Sequence, residues 1–513
     1  MRELHVVSLL LLSMVLGAPL AAQDLETVKD FQKYFRRYKE TAERVEAILA
    51  LEGIEHAKVV DVLVPVLKDK QPEVVDAAVR VLGQFHERSP VDQLLARLEK
   101  EKKESLRVGL LRALALGGYP NPGEPVVECL ADKSWDVRRR AIDVLASTGD
   151  AAHAEALAPL CSDREAAVRG AAFDGLAALH SHLVRPLAAA GLDDPAWQVR
   201  ASAIHALGSV RHRDSIPPLI ARMRIEEGRL LADLADALED LTGRAFGTRT
   251  ELWERFWGNY ADRYQIPTDE ELATLRAAQA ARAAEYKPVG QVNYHGIDTP
   301  SRSILFVVDV SGSMENEIID RERFADGDYP SFTRIDIVKT ELARTIDHLE
   351  PYVRFNVIAF ATDVRRWKKS LVPANVLGKS SARDWVMRLE PIGGPSAEDL
   401  ARAGLVGAAN LEGGKTNTRG ALTAALESDA GGGGRGRGRD GDYMVAVDTI
   451  FFLSDGKPTT GRFVDPDDIL REVRKLNELR RVVVHTIALG QFQKTFMKRL
   501  AKENGGVFVD LGE

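Results

Sequence analysis

The sequence predicts two architectures in series. An α-solenoid of paired helices covers residues 24–265, and a Rossmann-like α/β domain with a central, mostly parallel sheet covers residues 301–513. Three observations lead there. Apolar positions recur at intervals of 31 or 32 residues through the first half. Strand-like and helix-like patterns alternate through the second half. One apolar strand of that half, Ser303–Asp309, runs straight into Asp309-Val310-Ser311-Gly312-Ser313, a group of small oxygen-bearing side chains spaced two apart.

Taken in order, residues 1–22 begin Met1-Arg2, continue through an apolar core to Leu16 and end on small residues at Ala21-Ala22. A basic start, a short apolar run and a small-residue end describe a cleavable secretory signal peptide, so a secreted or periplasmic location is expected. The run is short for a membrane span, and nothing later approaches one. The net charge of -7 is mild and gives no sign of a polyanion partner. With only two cysteines, Cys129 and Cys161, a disulfide framework does not hold the fold together. Both read as small buried residues, with a bridge between them as the alternative in an exported chain.

The repeat is opened by Val74, Leu106, Val137, Val168, Val199 and Leu230, and apolar residues follow five and eight positions later. This spacing lays one apolar stripe along a helix. A second apolar segment follows each stripe, such as Pro90–Leu98 or Ser215–Met223, and a weaker copy begins near Glu43. No helix pair can bury such a stripe alone, so neighbours bury one another in a stack. Period and layout, in motifs such as Asp136-Val137-Arg138-Arg139-Arg140-Ala141 and Gln198-Val199-Arg200-Ala201, resemble HEAT repeats of the short bacterial kind. Arg138, Arg169 and Arg200 recur one residue after the opener. They are expected to pair with acids such as Asp136, Asp163 and Asp194. His180, His182, His205 and His212 offer no i,i+4 pair with an acid partner, so they do not read as a metal site. The stack ends at Leu241-Thr242-Gly243 and then Trp253, Phe256, Trp257, Tyr260 and Tyr264, an aromatic stripe suited to covering the last apolar face. Residues 266–300 read as a linker helix, starting at Thr268-Asp269-Glu270-Glu271, and then an edge strand over Gln291–Ile297.

The α/β domain reads as helix Thr333–Leu349, strand Val353–Phe360, helix Ala382–Leu389, helix Gly420–Glu427, strand Thr449–Leu453, helix Pro466–Leu479, strand Arg481–Leu489, helix Phe492–Glu503 and strand Val507–Val509. Ligands of open α/β sheets sit beyond the carboxyl ends of the strands, where Asp309, Ser311 and Ser313 fall. One carboxylate and two hydroxyls suit a hard divalent cation. The pattern resembles the von Willebrand factor A family, whose metal-ion-dependent adhesion site has three parts. The first matches Asp309, Ser311 and Ser313. The second matches Thr416 in Gly413-Gly414-Lys415-Thr416-Asn417-Thr418, and the third Asp455 in Phe452-Leu453-Ser454-Asp455. The resemblance implies that these five residues hold Mg²⁺, or another hard divalent cation such as Mn²⁺ or Ca²⁺. It further implies that an acidic residue of a protein partner completes the ion's coordination. Two insertions, near 395–412 and 430–441, depart from a minimal family member, and the first adjoins Thr416.

Gly414-Lys415-Thr416 is not a phosphate-binding loop, because Ala409 stands where its first glycine is required. No zinc helix and no Ser/His/Asp arrangement is present. The expectation is therefore an exported, non-enzymatic interaction protein, with the solenoid as a second protein-binding scaffold. Two alternatives come from other classes. The Ro ribonucleoproteins also join helical repeats to an A domain, but the solenoid half lacks the basic stripe that RNA requires. A-type domains also present substrates to chaperone-like ATPases, which would make this chain an accessory subunit of an enzyme complex.

Overall fold

A computed structural model describes residues 24–283, 292–318, 321–324, 327–392, 415–428, 445–455, 457–462, 464–489 and 494–511. The segment read as a signal peptide and the two insertions lie outside these residues. Among the described residues no helix is long and apolar enough to cross a membrane. The chain divides into two compact units. One runs to Asp194 and includes Ser202–Arg211; the other comprises Pro195–Ala201 and the chain from His212 onward.

In the first unit the periodic residues fall near the start of one helix in each repeat: Val74 in Pro72–Leu82, Leu106 in Glu104–Gly117, Val137 in Trp135–Ser147 and Val168 in Ala166–Ala178. All but Leu106 are essentially inaccessible to solvent, and Leu106 is buried as well. Close approach of neighbouring helices depends on small residues. A Cβ on Gly175 would lie 2.9 Å from Ile142 Cγ2, so helix 166–178 seats against helix 135–147 only with glycine there.

The arginines that follow Leu106, Val137 and Val168, with Arg44 of the weaker first copy, form a ladder. Arg138 reaches Asp163 with both Nε and Nη2, at 2.8 and 2.7 Å, and Arg169 reaches Asp194 in the same way at 2.6 and 2.8 Å. Arg44 pairs with Asp69 and Arg107 with Asp132 in the earlier repeats. Arg138 and Arg169 also brace the loops before their own helices, through Nη1 on the carbonyls of Asp132 and Asp163 at 2.8 and 2.9 Å. Asp163 in turn accepts from Glu165 N at 2.8 Å, shaping the next helix start. A planar fork that binds a carboxylate bidentately and still caps a carbonyl explains why arginine recurs here. Asp136, expected among the acids, pairs instead with Arg140 on its own helix at 3.6 Å. Cys129 and Cys161 are free and buried.

In the second unit, Val199 lies in helix Trp197–Ser209 and Leu230 in helix Arg229–Thr242, which ends on Gly243 in the left-handed region. Phe246 then meets the rings of Trp253 and Phe256 at 4.8 and 5.7 Å. Trp253 is fully buried and donates its indole N–H to Gly247 O at 2.8 Å, and Tyr264 donates to Thr242 O at 3.1 Å. The aromatic stripe thus folds onto the end of the last repeat helix. A helix over Asp269–Ala283 follows.

Residues 292–294 pair with 297–299 in an antiparallel hairpin separate from the main sheet, where the sequence suggested an added edge strand. His295 and Gly296 both take positive φ, 50° and 81°, the geometry of a two-residue turn that folds a strand back on itself. The hairpin buries Tyr294 edge-on against Phe306 and Phe451, at 5.3 and 5.5 Å.

The α/β domain is built from β1 (Ser303–Asp309), α1 (Arg334–His348), β2 (Arg354–Phe360), β3 (Val364–Arg366), β4 (Val372–Pro373), α2 (Val376–Met387), α3 (Thr418–Leu426), β5 (Thr449–Ser454), α4 (Pro466–Arg480), β6 (Val483–Ala488), α5 (Lys494–Glu503) and β7 (Phe508–Asp510). The sheet order is β3-β2-β1-β5-β6-β7, with β4 also pairing β2. All pairings from β2 to β7 are parallel, and β3 and β4 run antiparallel to β2. Alternate residues of β1 feed two cores. Ile304, Phe306 and Val308 pack with Val338, Leu342 and Ile346 of α1. Leu305 and Val307 pack with Leu422 of α3, Leu470 of α4 and Leu500 of α5. Burial on both faces is why β1 and β5 read as continuous apolar runs.

The amino ends of the central strands meet the last repeat helices. Arg229 donates to the carbonyls of Asp448, at 3.2 Å, and Arg481, immediately before and two residues before β5 and β6 respectively. Its guanidinium lies over the Trp197 ring, whose Nε1 donates to Val445 O at 3.1 Å.

Candidate metal centre

Parallel pairing decides which side chains meet at the carboxyl end of the sheet. Asp309 pairs with Phe360 across β1 and β2, and Val308 pairs with Leu453 across β1 and β5, which places Ser454 beside Asp309. Ser454 Oγ accordingly donates to Asp309 Oδ2 at 2.6 Å. The other oxygen, Oδ1, accepts from Ser311 N at 2.8 Å, a local turn that directs the Ser311 hydroxyl back toward the strand end. Ser311 Oγ lies 3.3 Å from Ser313 Oγ, and Ser313 Oγ donates to Asp455 Oδ1 at 2.8 Å. Asp309, Ser311, Ser313 and Asp455 are therefore joined in one chain of contacts. Asp309 and Asp455 are fully buried, and Ser313 is half-buried.

Thr416 arrives on a separate loop. Asn417 N donates to Ala361 O at 2.9 Å, one residue beyond the Asp309–Phe360 pair, which holds the threonine loop at this end of the sheet. Asn417 also caps α3 by accepting from Gly420 N at 2.9 Å. The Thr416 backbone is gripped by Thr459, whose hydroxyl accepts from Thr416 N at 2.8 Å and whose N–H donates to Thr416 O at 3.0 Å. Gly413 and Gly414, the first residues of the motif, lie outside the described residues.

Three further residues complete the arrangement. Ser454 orients Asp309, Thr459 fixes Thr416, and Arg334 donates to Asp455 Oδ2 at 2.5 Å. Ser454 and Arg334 carry faint sequence signals, a hydroxyl directly before the second acid and a cation at the first position of a capped helix. Nothing local marks Thr459. Burial, and after it the Asp455 carboxylate, push the Asp309 carboxyl up to about 7, against the hydrogen bonds from Ser311 and Ser454. A buried acid disfavoured in its charged form gains from a nearby cation.

The sequence profile of the von Willebrand factor type A domain matches residues 302–510, and that of HEAT repeats matches residues 31–115 and 123–190. The chain carries HEAT repeats followed by a von Willebrand factor type A domain. Inter-alpha-trypsin inhibitor heavy chain H4 of Homo sapiens is 27% identical over 213 residues, which are 41% of this chain and 18% of that protein. Heavy chain H1 of Mesocricetus auratus is 26% identical over 251 residues, 48% of this chain and 22% of that protein. The alignment to each of these relatives thus spans only about a fifth of its length. Among solved structures, the von Willebrand factor type A protein from Catenulispora acidiphila is 18% identical, covering 42% of this chain and 40% of that one with a TM-score of 0.28. The A domain is the part of this chain in which β1, β5 and the threonine loop converge.

Proposed function

We propose that the A domain captures a protein partner through a divalent cation held by Asp309, Ser311, Ser313, Thr416 and Asp455, and that the chain acts as an exported, non-enzymatic interaction protein. The observation that carries this reading is the chain of contacts from Ser454 through Asp309, Ser311 and Ser313 to Asp455 at the carboxyl end of adjacent parallel strands. The donor chemistry fits. Two carboxylates and three hydroxyls are hard oxygen ligands, with no thiol or imidazole among them, which suits Mg²⁺ and also Mn²⁺ or Ca²⁺. When bound, the ion supplies a positive centre able to anchor a carboxylate of the partner.

The protein's own residues set the conditions for that capture. Ser454 and the Ser311 N–H hold both oxygens of Asp309, so its orientation is fixed before any ligand arrives. The neutral hydroxyls leave the two acids as the negative charge of the site. Ser313 is only partly buried, which leaves it within reach of a partner, while the backbone grip of Thr459 holds the threonine loop. The HEAT repeats would provide a second protein-binding face.

The test combines metal binding with capture. Calorimetry of the full chain should show one Mg²⁺ or Mn²⁺ per molecule, lost in Asp309→Ala with the repeat helicity unchanged. Pull-downs from the envelope fraction should retain a partner in Mg²⁺ and release it in EDTA. Retention that is indifferent to excess chelator and to Asp309→Ala would overturn the reading.

A further inference from the structure

Arg334 occupies a position that the adhesion reading does not use. It is the first residue of α1, behind the capping residue Thr333, and its backbone N–H donates to Asn316 O at 3.0 Å. Its side chain is only 13% exposed, and Nη1 lies 2.5 Å from Asp455 Oδ2, whose side chain is fully buried. The same Nη1 points toward the carbonyl of Ser313 at 3.4 Å. Both oxygens of Asp455 are therefore engaged within the chain, one by the Ser313 hydroxyl and one by a guanidinium.

A guanidinium keeps its charge at any accessible pH. Placed on one of the two acids, it gives the cluster a resident counter-ion, without which Asp455 would be a buried carboxylate facing a second one. A divalent cation entering the same cluster meets a like charge held a few ångströms away in a poorly hydrated setting, where such repulsion is strong. Either the guanidinium gives way or the ion binds weakly.

We propose that Arg334 is a tethered cation that competes with the divalent ion for Asp455, so that metal loading displaces it and the affinity stays below what the oxygen donors alone would give. This rests on the metal reading of the site. Because Arg334 sits in the first turn of α1, its release also loosens that turn, and the loaded and metal-free states differ at the helix start.

The test uses the full chain with Mn²⁺ and Mg²⁺ as probes, in wild type, Arg334→Gln and Arg334→Lys. Spin-resonance titration of free Mn²⁺ and calorimetry of Mg²⁺ give the affinities. Arg334→Gln, which keeps hydrogen-bonding capacity without charge, should bind about tenfold more tightly or better. Arg334→Lys should stay close to wild type, and the rise in Tm on adding metal should be larger for Arg334→Gln than for wild type. Should the glutamine variant not fold, hydrogen exchange on wild type decides: peptides covering the first turn of α1 should exchange faster once Mn²⁺ is added, and an unchanged rate overturns the competition. Wild type binding metal while Arg334→Gln binds equally or more weakly overturns the competition and leaves the metal site standing. No binding by any of the three proteins overturns the metal site, and the competition with it.

Discussion

Replacing Asp309 by asparagine should make the metal-free protein more stable, and increasingly so as the pH rises. The carboxylate is fully buried, with one oxygen accepting from Ser311 N at 2.8 Å and the other from Ser454 Oγ at 2.6 Å. Asparagine has the same shape; its carbonyl can take the first bond and its amide can donate to the Ser454 hydroxyl. The charge is what disappears. Burial first, and Asp455 second, push the acid from 3.8 up to about 7. An acid raised in the folded state favours folding below its unfolded value, and that advantage is lost as pH rises through the folded value. The relevant window is therefore about pH 4 to 7. At about 1.4 kcal/mol for each tenfold change, the variant should gain about 2–3 kcal/mol on wild type between pH 5 and pH 8, as an order of magnitude. Urea unfolding in EDTA at several pH values measures this, followed by hydrogen exchange of β1 and β5 so that the repeats do not obscure the A-domain transition. Mg²⁺ should reverse the order, raising the wild-type midpoint and leaving the variant nearly unmoved. A difference between the two proteins that is the same at pH 5 and pH 8 would refute the claim that the ionised acid is costly in this site.

Other expectations test the scaffold. Arg169→Ala leaves Asp194 buried without its bidentate partner and should cost about 3–5 kcal/mol by circular-dichroism melting. The exposed pair of Arg88 and Asp92, 3.4 Å apart, is the control, and Arg88→Ala should cost less than about 1 kcal/mol. Trp253→Ala empties the middle of the aromatic cap, with a loss of about 3–5 kcal/mol and faster exchange in the helix over 229–242. Burial pushes the Cys129 thiol up and the Cys161 thiol up to about 12, so a maleimide should label neither in the native chain and both in urea.

The legible parts of this chain are those where a period or an apolar run has to be buried. The openers from Val74 to Leu230 lie on repeat helices because a stripe spaced at helical intervals admits no other arrangement. Their arginines were readable as structural, and Arg138 and Arg169 find Asp163 and Asp194, since a buried guanidinium needs an acid. Helix α2 begins at Val376, six residues before the apolar pattern suggests, because Val376 and Leu377 are exposed at its start and leave no stripe to read. The short strands β3 and β4 leave no mark in the sequence, because two or three residues at an antiparallel edge carry no alternation. At the site, oxygen-bearing residues beside apolar strands stood out. Arg334 and Thr459 do not stand out, because their roles depend on where the start of α1 and the loop after β5 are carried by the fold; Arg334 has only its place behind a helix cap to mark it, and Thr459 nothing local.

The two ends of β5 have different work, and the strand's length keeps them apart. Asp448, immediately before the strand, gives its carbonyl to Arg229 of the last repeat helix, and its carboxylate accepts from the Ser301 hydroxyl ahead of β1. Asp455, immediately after the strand, meets Ser313 and Arg334. Six residues of strand at about 3.3 Å each separate these contacts by roughly 20 Å. The charge of Arg229 is shared with Asp233 and Asp448, both acids pushed up by burial, so the amino end of the sheet is closed by an internal ion cluster. A helix docked there cannot reach the carboxyl end, and a carboxylate-bearing partner at the mouth cannot disturb the docked helix directly. β5 joins the two ends directly, and it is paired on both sides and buried on both faces. A strand held in this way is not free to shift by itself, so on the proposed metal reading the change on loading is expected at Arg334 and the start of α1.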